Sequence, residues 1–174
     1  MTNYVFLGLG SNLGDREAWL GKALILIKKF IGVIDSVSGI YETEPWGFHS
    51  ENNFLNMVIS VHTSLKPADL LKKILIIEGQ LGRIRDNSQY LSRTIDIDIL
   101  IYGNKVIDKN ELKIPHPMIQ DRRFVLVPLC EIAHEMIHPV LKKTFAALLE
   151  ECRDGREVKK VKPFNYGFSQ SYTV

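Results

Sequence analysis

Thr43-Glu44-Pro45-Trp46-Gly47-Phe48-His49-Ser50-Glu51-Asn52-Asn53 is the stretch on which the fold reading turns. It holds Pro45 and Gly47, shows no helical spacing of apolar residues, and lies between two segments with strand character. A doubly wound parallel sheet needs a crossover helix between consecutive strands. These residues do not supply one. Upstream, residues 33–42 (VIDSVSGIYE) alternate as a strand does, and downstream so do residues 54–63 (FLNMVISVHT).

Working outward, residues 4–9 (YVFLGL) read as a first strand. From about Arg16 to Phe30, Trp19, Ala23, Ile27 and Phe30 recur at helical spacing, and Gly32 ends that helix. Pro67 opens a second helix running to about Gly79, with an apolar stripe of Leu70, Leu71, Ile74 and Ile77. Residues 80–94 form a long, basic, aperiodic loop, and Ile95 to Tyr102 a further strand. Gly103-Asn104 is a hairpin-type turn, and residues 106–114 hold a short strand with a turn. Pro115-His116-Pro117 breaks the chain before helical patterns at 118–133 and 140–151. The order strand, helix, strand, strand, helix, strand predicts an α+β fold: a ferredoxin-like antiparallel sheet covered by helices. One domain is expected over residues 1–152, followed by a polar C-terminal tail, 153–174, in which the lysine run 159–162 is solvated.

The bulk numbers exclude several classes. Twenty-two basic and twenty acidic residues leave a net charge of +2, too balanced for bulk electrostatic attraction to nucleic acid or a membrane. Any anion site is therefore local. Met1 to Gly10 has no positive n-region, and the apolar runs are too short to span a bilayer, so no signal peptide or membrane segment is expected. Cys130 and Cys152 form no CxxC pair, and Cys130 reads as a reduced core residue in a cytoplasmic protein.

Asp96 and Asp98 carry the first chemical signal. Alternation puts both on one strand face and the flanking isoleucines on the other. Carboxylates about 7 Å apart along a strand repel, and a magnesium ion with phosphate oxygens would remove that cost. An exposed face neutralised by arginines is the plainer alternative. Arg83, Arg85 and Arg93 lie just upstream, and guanidinium groups suit phosphate. A triphosphate clamp and simple charge neutralisation both stay open on local grounds.

The other motifs are weaker. Gly8 to Gly14 fails the GxGxxG spacing, because residue 13 is leucine, and no Lys-Ser/Thr follows Gly14. A turn into a helix is the better reading. His134-Glu135-Met136-Ile137-His138 matches HExxH, but Pro139 pushes His138 off helical angles and no third ligand follows. His116, between two prolines, is a structural turn residue or a phosphate contact. Trp46, Phe54 and Phe124 are core aromatics or a stacking slot for a flat ring, and Asn56 shares the Phe54 face, where an amide can read a heterocycle edge.

Taken together and in order, several segments resemble the 6-hydroxymethyl-7,8-dihydropterin pyrophosphokinase family of folate biosynthesis. They are Leu9-Gly10-Ser11-Asn12-Leu13-Gly14-Asp15, Tyr41-x-Thr43-x-Pro45-x-Gly47, Phe54-Leu55-Asn56, Gly82-Arg83-x-Arg85, Arg93-Thr94-Ile95-Asp96-Ile97-Asp98-Ile99-Leu100, Pro115-His116-Pro117 and Arg122-x-Phe124-Val125-Leu126-x-Pro128-Leu129. The resemblance implies ATP as co-substrate, two magnesium ions, and pyrophosphoryl transfer to the pterin hydroxymethyl oxygen with release of AMP. By position it implies metal binding by Asp96 and Asp98, and pterin binding by Phe54 and Phe124 with Thr43, Trp46 and Asn56 around them. It implies ATP contact or transfer chemistry for Arg83, Arg85, Arg93, His116 and Arg122, with Glu78 near the nucleotide. The implied catalytic set is Arg83, Arg93, Asp96 and Asp98. It also implies a lid formed by residues 80–94, small-molecule partners only, and a monomer. The chain departs from the family at Gln89, where a basic residue is usual, and at Leu91-Ser92 before Arg93. Lys113 stands where some members carry a small hydroxyl residue. A ferredoxin-like binding module without catalysis and another metal-dependent phosphoryl or nucleotidyl transferase are the competing readings.

Overall fold

A computed structural model of the chain describes residues 2–47, 52–84 and 92–163. Eight strands and four α-helices are formed among them. In chain order they are β1 (Asn3–Ser11), α1 (Arg16–Phe30), β2 (Val33–Val37), β3 (Ile40–Thr43), β4 (Phe54–Thr63), α2 (Pro67–Gln80), β5 (Asp96–Tyr102), β6 (Ile107–Lys109), β7 (Leu112–Ile114), α3 (Arg123–Ala133), α4 (Phe145–Glu151) and β8 (Val158–Lys162). The main sheet runs β5-β1-β4-β3-β8, with β2 also paired to β4. Every described pairing in it is antiparallel. This is the α+β, ferredoxin-like arrangement expected. The described residues of the irregular stretch, 44–47 and 52–53, contain no helix. Arg16 ties its two ends together: one guanidinium nitrogen donates to Glu42 at 2.9 Å and to the Asn53 carbonyl at 2.8 Å.

Alternation along β1, β4 and β5 divides the core in two. Val5, Leu7 and Leu9 join Leu55, Met57, Ile59, Ile97 and Ile99 on one face, packed under Leu20, Leu24, Ile27, Leu70, Ile74 and Ile77 of α1 and α2. Phe6, Val58 and Leu100 point to the other face, under Val125, Leu126 and Leu129 of α3 and Phe145 and Leu148 of α4. At about 25 cal/mol per Å² of apolar area, two such layers stabilise the sheet from both sides. The first layer fills the whole strand length. The second stops short, and there the sheet face becomes a cavity floor.

Four expectations need correction. The strand expected over 33–42 is two strands, because Ser38 turns its backbone and side chain to Val58: Ser38 N–H donates to the Val58 carbonyl at 2.9 Å, and the Val58 N–H donates to Ser38 Oγ at 2.9 Å. The helix expected over 118–133 breaks at Arg122, which is extended between a 3-10 turn (Ile119–Asp121) and α3. The helix expected from 140 starts only at Phe145, where the Thr144 side chain accepts from the Ala147 N–H at 3.1 Å. The segment expected to be a solvated tail contributes β8, which pairs with β3 along the sheet edge. Two of its three lysines are ion-paired: Lys160 to Glu131 at 2.7 Å and Lys162 to Glu17 at 2.5 Å. No described helix is long and apolar enough to cross a membrane.

The HExxH motif is a turn, as its proline suggested. α3 ends at Ala133, and His138 is 4% exposed, with Nδ1 accepting from the Val140 and Leu141 N–H groups at 3.2 and 3.1 Å. No group of three possible metal ligands occurs among the described residues. Burial holds the His138 imidazole below its ordinary value of 6.5. Its neutral form is thus the folded form, so its contribution is complete above that value and lost as pH falls through the lowered one. His138→Asn keeps an acceptor for the two backbone donors and removes the titration. Thermal unfolding from pH 7 to pH 5 should therefore fall more steeply in the native protein than in His138→Asn. Parallel curves would refute the assignment.

Candidate active site

A cavity of about 1120 Å³ opens over the second sheet face. Its lining includes Thr43, Trp46, Phe54, Asn56, Arg83, Arg93, Asp96, Asp98, His116, Arg122 and Phe124. These are eleven of the thirteen residues proposed from sequence. Arg85 and the departures at Gln89 and Leu91 lie outside the described residues, as does the middle of the expected lid, residues 85–91. Glu78 is also absent from the lining, buried behind Arg83.

The acidic end is built on β5. Asp96 and Asp98 alternate with buried Ile97 and Ile99, so the strand pattern points both carboxylates to the cavity. Their surroundings differ. Asp96 is ion-paired to the Arg83 guanidinium and, at 2.6 Å, to that of Arg93. Asp98 makes no hydrogen bond to a described residue. Its carboxyl is pushed up to about 7, first by burial and then by the Asp96 charge, against the pull of Arg122. A cation beside such a carboxyl would favour its charged form.

The arginines are fixed from behind. Gly82, at φ 78°, reverses the chain after α2, and the Arg83 N–H donates to the Glu78 carbonyl at 3.0 Å. Glu78 is 1% exposed and ion-paired to Arg83, while its carboxylate accepts from the Ile97 N–H at 2.8 Å. Burial disfavours the Arg83 charge, but Asp96 and Glu78 outweigh it and hold the guanidinium above its ordinary value. Glu78 therefore meets the cavity through Arg83. Arg93 is anchored by Asn12: its N–H donates to Asn12 Oδ1 at 2.7 Å, and the Asn12 N–H donates to the Arg93 carbonyl at 3.1 Å. Sequence reasoning had placed Asn12 in a plain turn. Its wholly buried amide is a signal visible only once β1 and the start of β5 are neighbours.

The aromatic end lies across β1. Asn56 on β4 donates to Thr43 Oγ1 on β3 at 2.7 Å, which fixes the amide's orientation. Thr43 and Phe54 are opposite each other in the β3–β4 register, and Phe124 reaches in from the start of α3. Gly10 sits between the two ends, paired to Asn56 on one side and Asp96 on the other. A Cβ there would stand 3.0 Å from Asn56 Oδ1 and 3.6 Å from the Phe54 ring, so glycine leaves room for a flat ligand. Arg122 lies 4.9 Å from the Trp46 ring centroid and 5.8 Å from that of Phe124.

His116 is held at the cavity wall by its own backbone, whose N–H donates to the Leu100 carbonyl at 2.9 Å. Its Nδ1 accepts from the Met118 N–H at 3.2 Å, which leaves Nε2 as the protonated nitrogen of the neutral ring. Burial and the nearby Arg122 charge lower its pKa to about 4, so it offers a neutral N–H donor.

Residues 6–134 match the sequence profile of a family described as 7,8-dihydro-6-hydroxymethylpterin-pyrophosphokinase. The chain belongs to this family. It is 44% identical over 139 residues to a 2-amino-4-hydroxy-6-hydroxymethyldihydropteridine pyrophosphokinase of Aquifex aeolicus, covering 80% of this chain and 86% of that one. The Bacillus subtilis enzyme of the same description is 42% identical over 137 residues, 78% of this chain and 81% of its own. Among solved structures, a Plasmodium falciparum HPPK-DHPS chain crystallised with pteroate superposes with a TM-score of 0.73 at 19% identity. The match covers 87% of this chain and 44% of that one, so this chain spans less than half the length of that protein. At that identity the likeness speaks for the fold.

Proposed function

We propose that the cavity binds 6-hydroxymethyl-7,8-dihydropterin at its aromatic end and MgATP at its acidic and basic end. The reaction of the family is transfer of pyrophosphate from ATP to the pterin, giving the pterin diphosphate and AMP in folate biosynthesis. The observation that carries the residue assignment is the sheet order β5-β1-β4-β3. It sets the carboxylates of β5 and the ring-reading groups of β4 and β3 on either side of glycine-bearing β1.

Thr43 and Asn56 read the donor and acceptor edge of the pterin, and Phe54 and Phe124 stack on its faces. Apolar Leu71, Ile74, Leu75, Ile107 and Leu112 line the far side of the cavity and suit the adenine, with Lys66, Lys72, Lys109 and Lys113 close by for phosphate charge.

The donor set fits magnesium: two hard carboxylate oxygens, one of them on Asp98 without a described hydrogen-bond donor, in a cavity with room for phosphate oxygens and water. Asp96 and Asp98 would hold the two ions, which supply charge neutralisation at the phosphoryl oxygens and a template for in-line attack. The chain's own groups do the rest. The hydroxymethyl oxygen releases its proton to solvent and forms a bond to the β-phosphorus, the bond from that phosphorus to the α,β-bridging oxygen breaks, and AMP leaves with that oxygen. Arg83 and Arg93 are released from Asp96 to bind the triphosphate as its charge arrives, and Arg122 faces the same space from α3. His116 donates a hydrogen bond from its neutral Nε2–H to phosphate. Positioning by rigid strands accounts for much of the acceleration. The enzyme acts as a cytoplasmic monomer on small molecules, a reading that its near-neutral charge favours over a nucleic-acid partner.

The test is incubation of the protein with MgATP and 6-hydroxymethyl-7,8-dihydropterin, following nucleotide products. AMP should form in step with pterin diphosphate and depend on magnesium. ADP as the nucleotide product, or AMP formed equally without the pterin, would overturn the proposal.

A further inference from the structure

Trp46 is the one large aromatic in the described part of the irregular β3–β4 connection, and no strand or helix holds it. Side chains from two other elements do. Arg122 covers the indole at 4.9 Å, and Arg156 lies 5.6 Å from the same ring centroid. Arg156 stands just before β8, in a segment beyond the residues that match the family profile, and it does not line the cavity. It is itself fixed. The Asp154 carboxylate, 4% exposed, accepts from Arg156 Nε at 2.9 Å and from the Arg156 N–H at 3.3 Å. The other oxygen of that carboxylate accepts from the Arg123 N–H at 3.3 Å, at the first residue of α3. One buried carboxylate thus ties the C-terminal segment to the helix start that carries Arg122 and Phe124. β8 completes the tie, because it pairs with β3, the strand that ends at Thr43 three residues before Trp46.

We propose that Arg156 is a positioning residue for the pterin. With Arg122 it clamps the Trp46 indole, so that the C-terminal segment, through Asp154 and β8, sets the shape of the pterin end of the cavity. The planar guanidinium suits this role: it can lie against an indole while its edge stays bonded to Asp154. Alanine removes both contacts. Lysine keeps the charge but loses the planar face and the Nε–H.

The inference rests on the reading of Trp46 as a pterin-end residue, and the experiment separates the two. The chain has two tryptophans, Trp19 and Trp46, so Trp19→Phe makes Trp46 the sole indole reporter. In that background Arg156→Ala should shift Trp46 emission to the red and raise the KM for the pterin about fivefold, the scale of one partly desolvated cation–π contact. The kcat and the KM for ATP should stay within about twofold. Arg156→Lys should recover less than half of the lost pterin affinity. In a Trp46→Leu enzyme, Arg156→Ala should add nothing further. Unchanged emission with unchanged pterin KM, or an equal effect with and without Trp46, would overturn the clamp and leave the role of Trp46 intact. Trp46→Leu without effect on pterin KM would remove that role and the clamp with it.

Discussion

Asp98→Ala is expected to lower kcat by about a thousandfold, the scale at which loss of one group aimed at transition-state charge is felt, while pterin binding in the absence of ATP stays within about twofold. The split follows from where the two aspartates stand. Asp96 has two arginines as partners, whereas Asp98 meets no described hydrogen-bond donor and has its carboxyl pushed up to about 7. A group in that condition is costly to the empty protein and useful only when a cation arrives. Removing it should therefore leave the fold intact or slightly stabilised. Asp98→Asn keeps the shape and removes the charge, and it should lose as much activity as the alanine variant. Calorimetric titration with the pterin alone, beside turnover measured by AMP release, checks both halves. Retention of more than a tenth of native kcat in Asp98→Asn would refute the metal-holding role.

Arg83→Ala should lower turnover and in addition cost stability, by about 3 kcal/mol, the lower range for breaking a buried ion pair from one side. In a domain of this size that corresponds to a fall in melting temperature of about 6–12 °C. Arg83 bridges two carboxylates, and Glu78 is 1% exposed. Without the guanidinium, Glu78 keeps the Ile97 N–H and loses its ion pair to Arg83. Adding Glu78→Gln to Arg83→Ala removes the charge that Arg83 balanced and keeps an acceptor for Ile97, so the double variant should recover part of the loss. Thermal unfolding of the two variants beside the native protein decides it. An Arg83→Ala melting point within about 2 °C of the native one would show that the bridge does not stabilise the fold.

The contrast between the aspartates marks where sequence reading ran out. Alternation in Ile95-Asp96-Ile97-Asp98-Ile99 is enough to put both carboxylates on one face and the isoleucines in the core. It treats the two as equals, because the difference between them comes from residues 78, 83, 93 and 122, which only the folded chain assembles. Long periodic elements such as α1, α2 and β4 were legible for the same reason: each carries its own pattern of burial. β8 was not. Val158–Lys162 is charged and mostly exposed, and it is a strand because β3 presents an unpaired edge to it. Asn12 and Arg156 were missed likewise, since their partners lie about 80 and 110 residues away along the chain.

Gly10 leaves open the space beside Asn56 and Phe54 that the proposed pterin takes, and a strand position without a side chain makes the enzyme awkward to improve. Glycine within a strand costs roughly 0.5–1 kcal/mol against alanine, and Gly8 and Gly10 both lie inside β1. A laboratory search for heat-resistant variants would therefore be drawn toward filling these two positions. At Gly10 the added methyl would crowd Asn56 and take the volume the substrate needs. Thermal tolerance and turnover are thus set against each other at a single backbone position, and heat-hardened versions of this enzyme are better sought under α1, around Leu20, Leu24 and Ile27, which do not line the cavity.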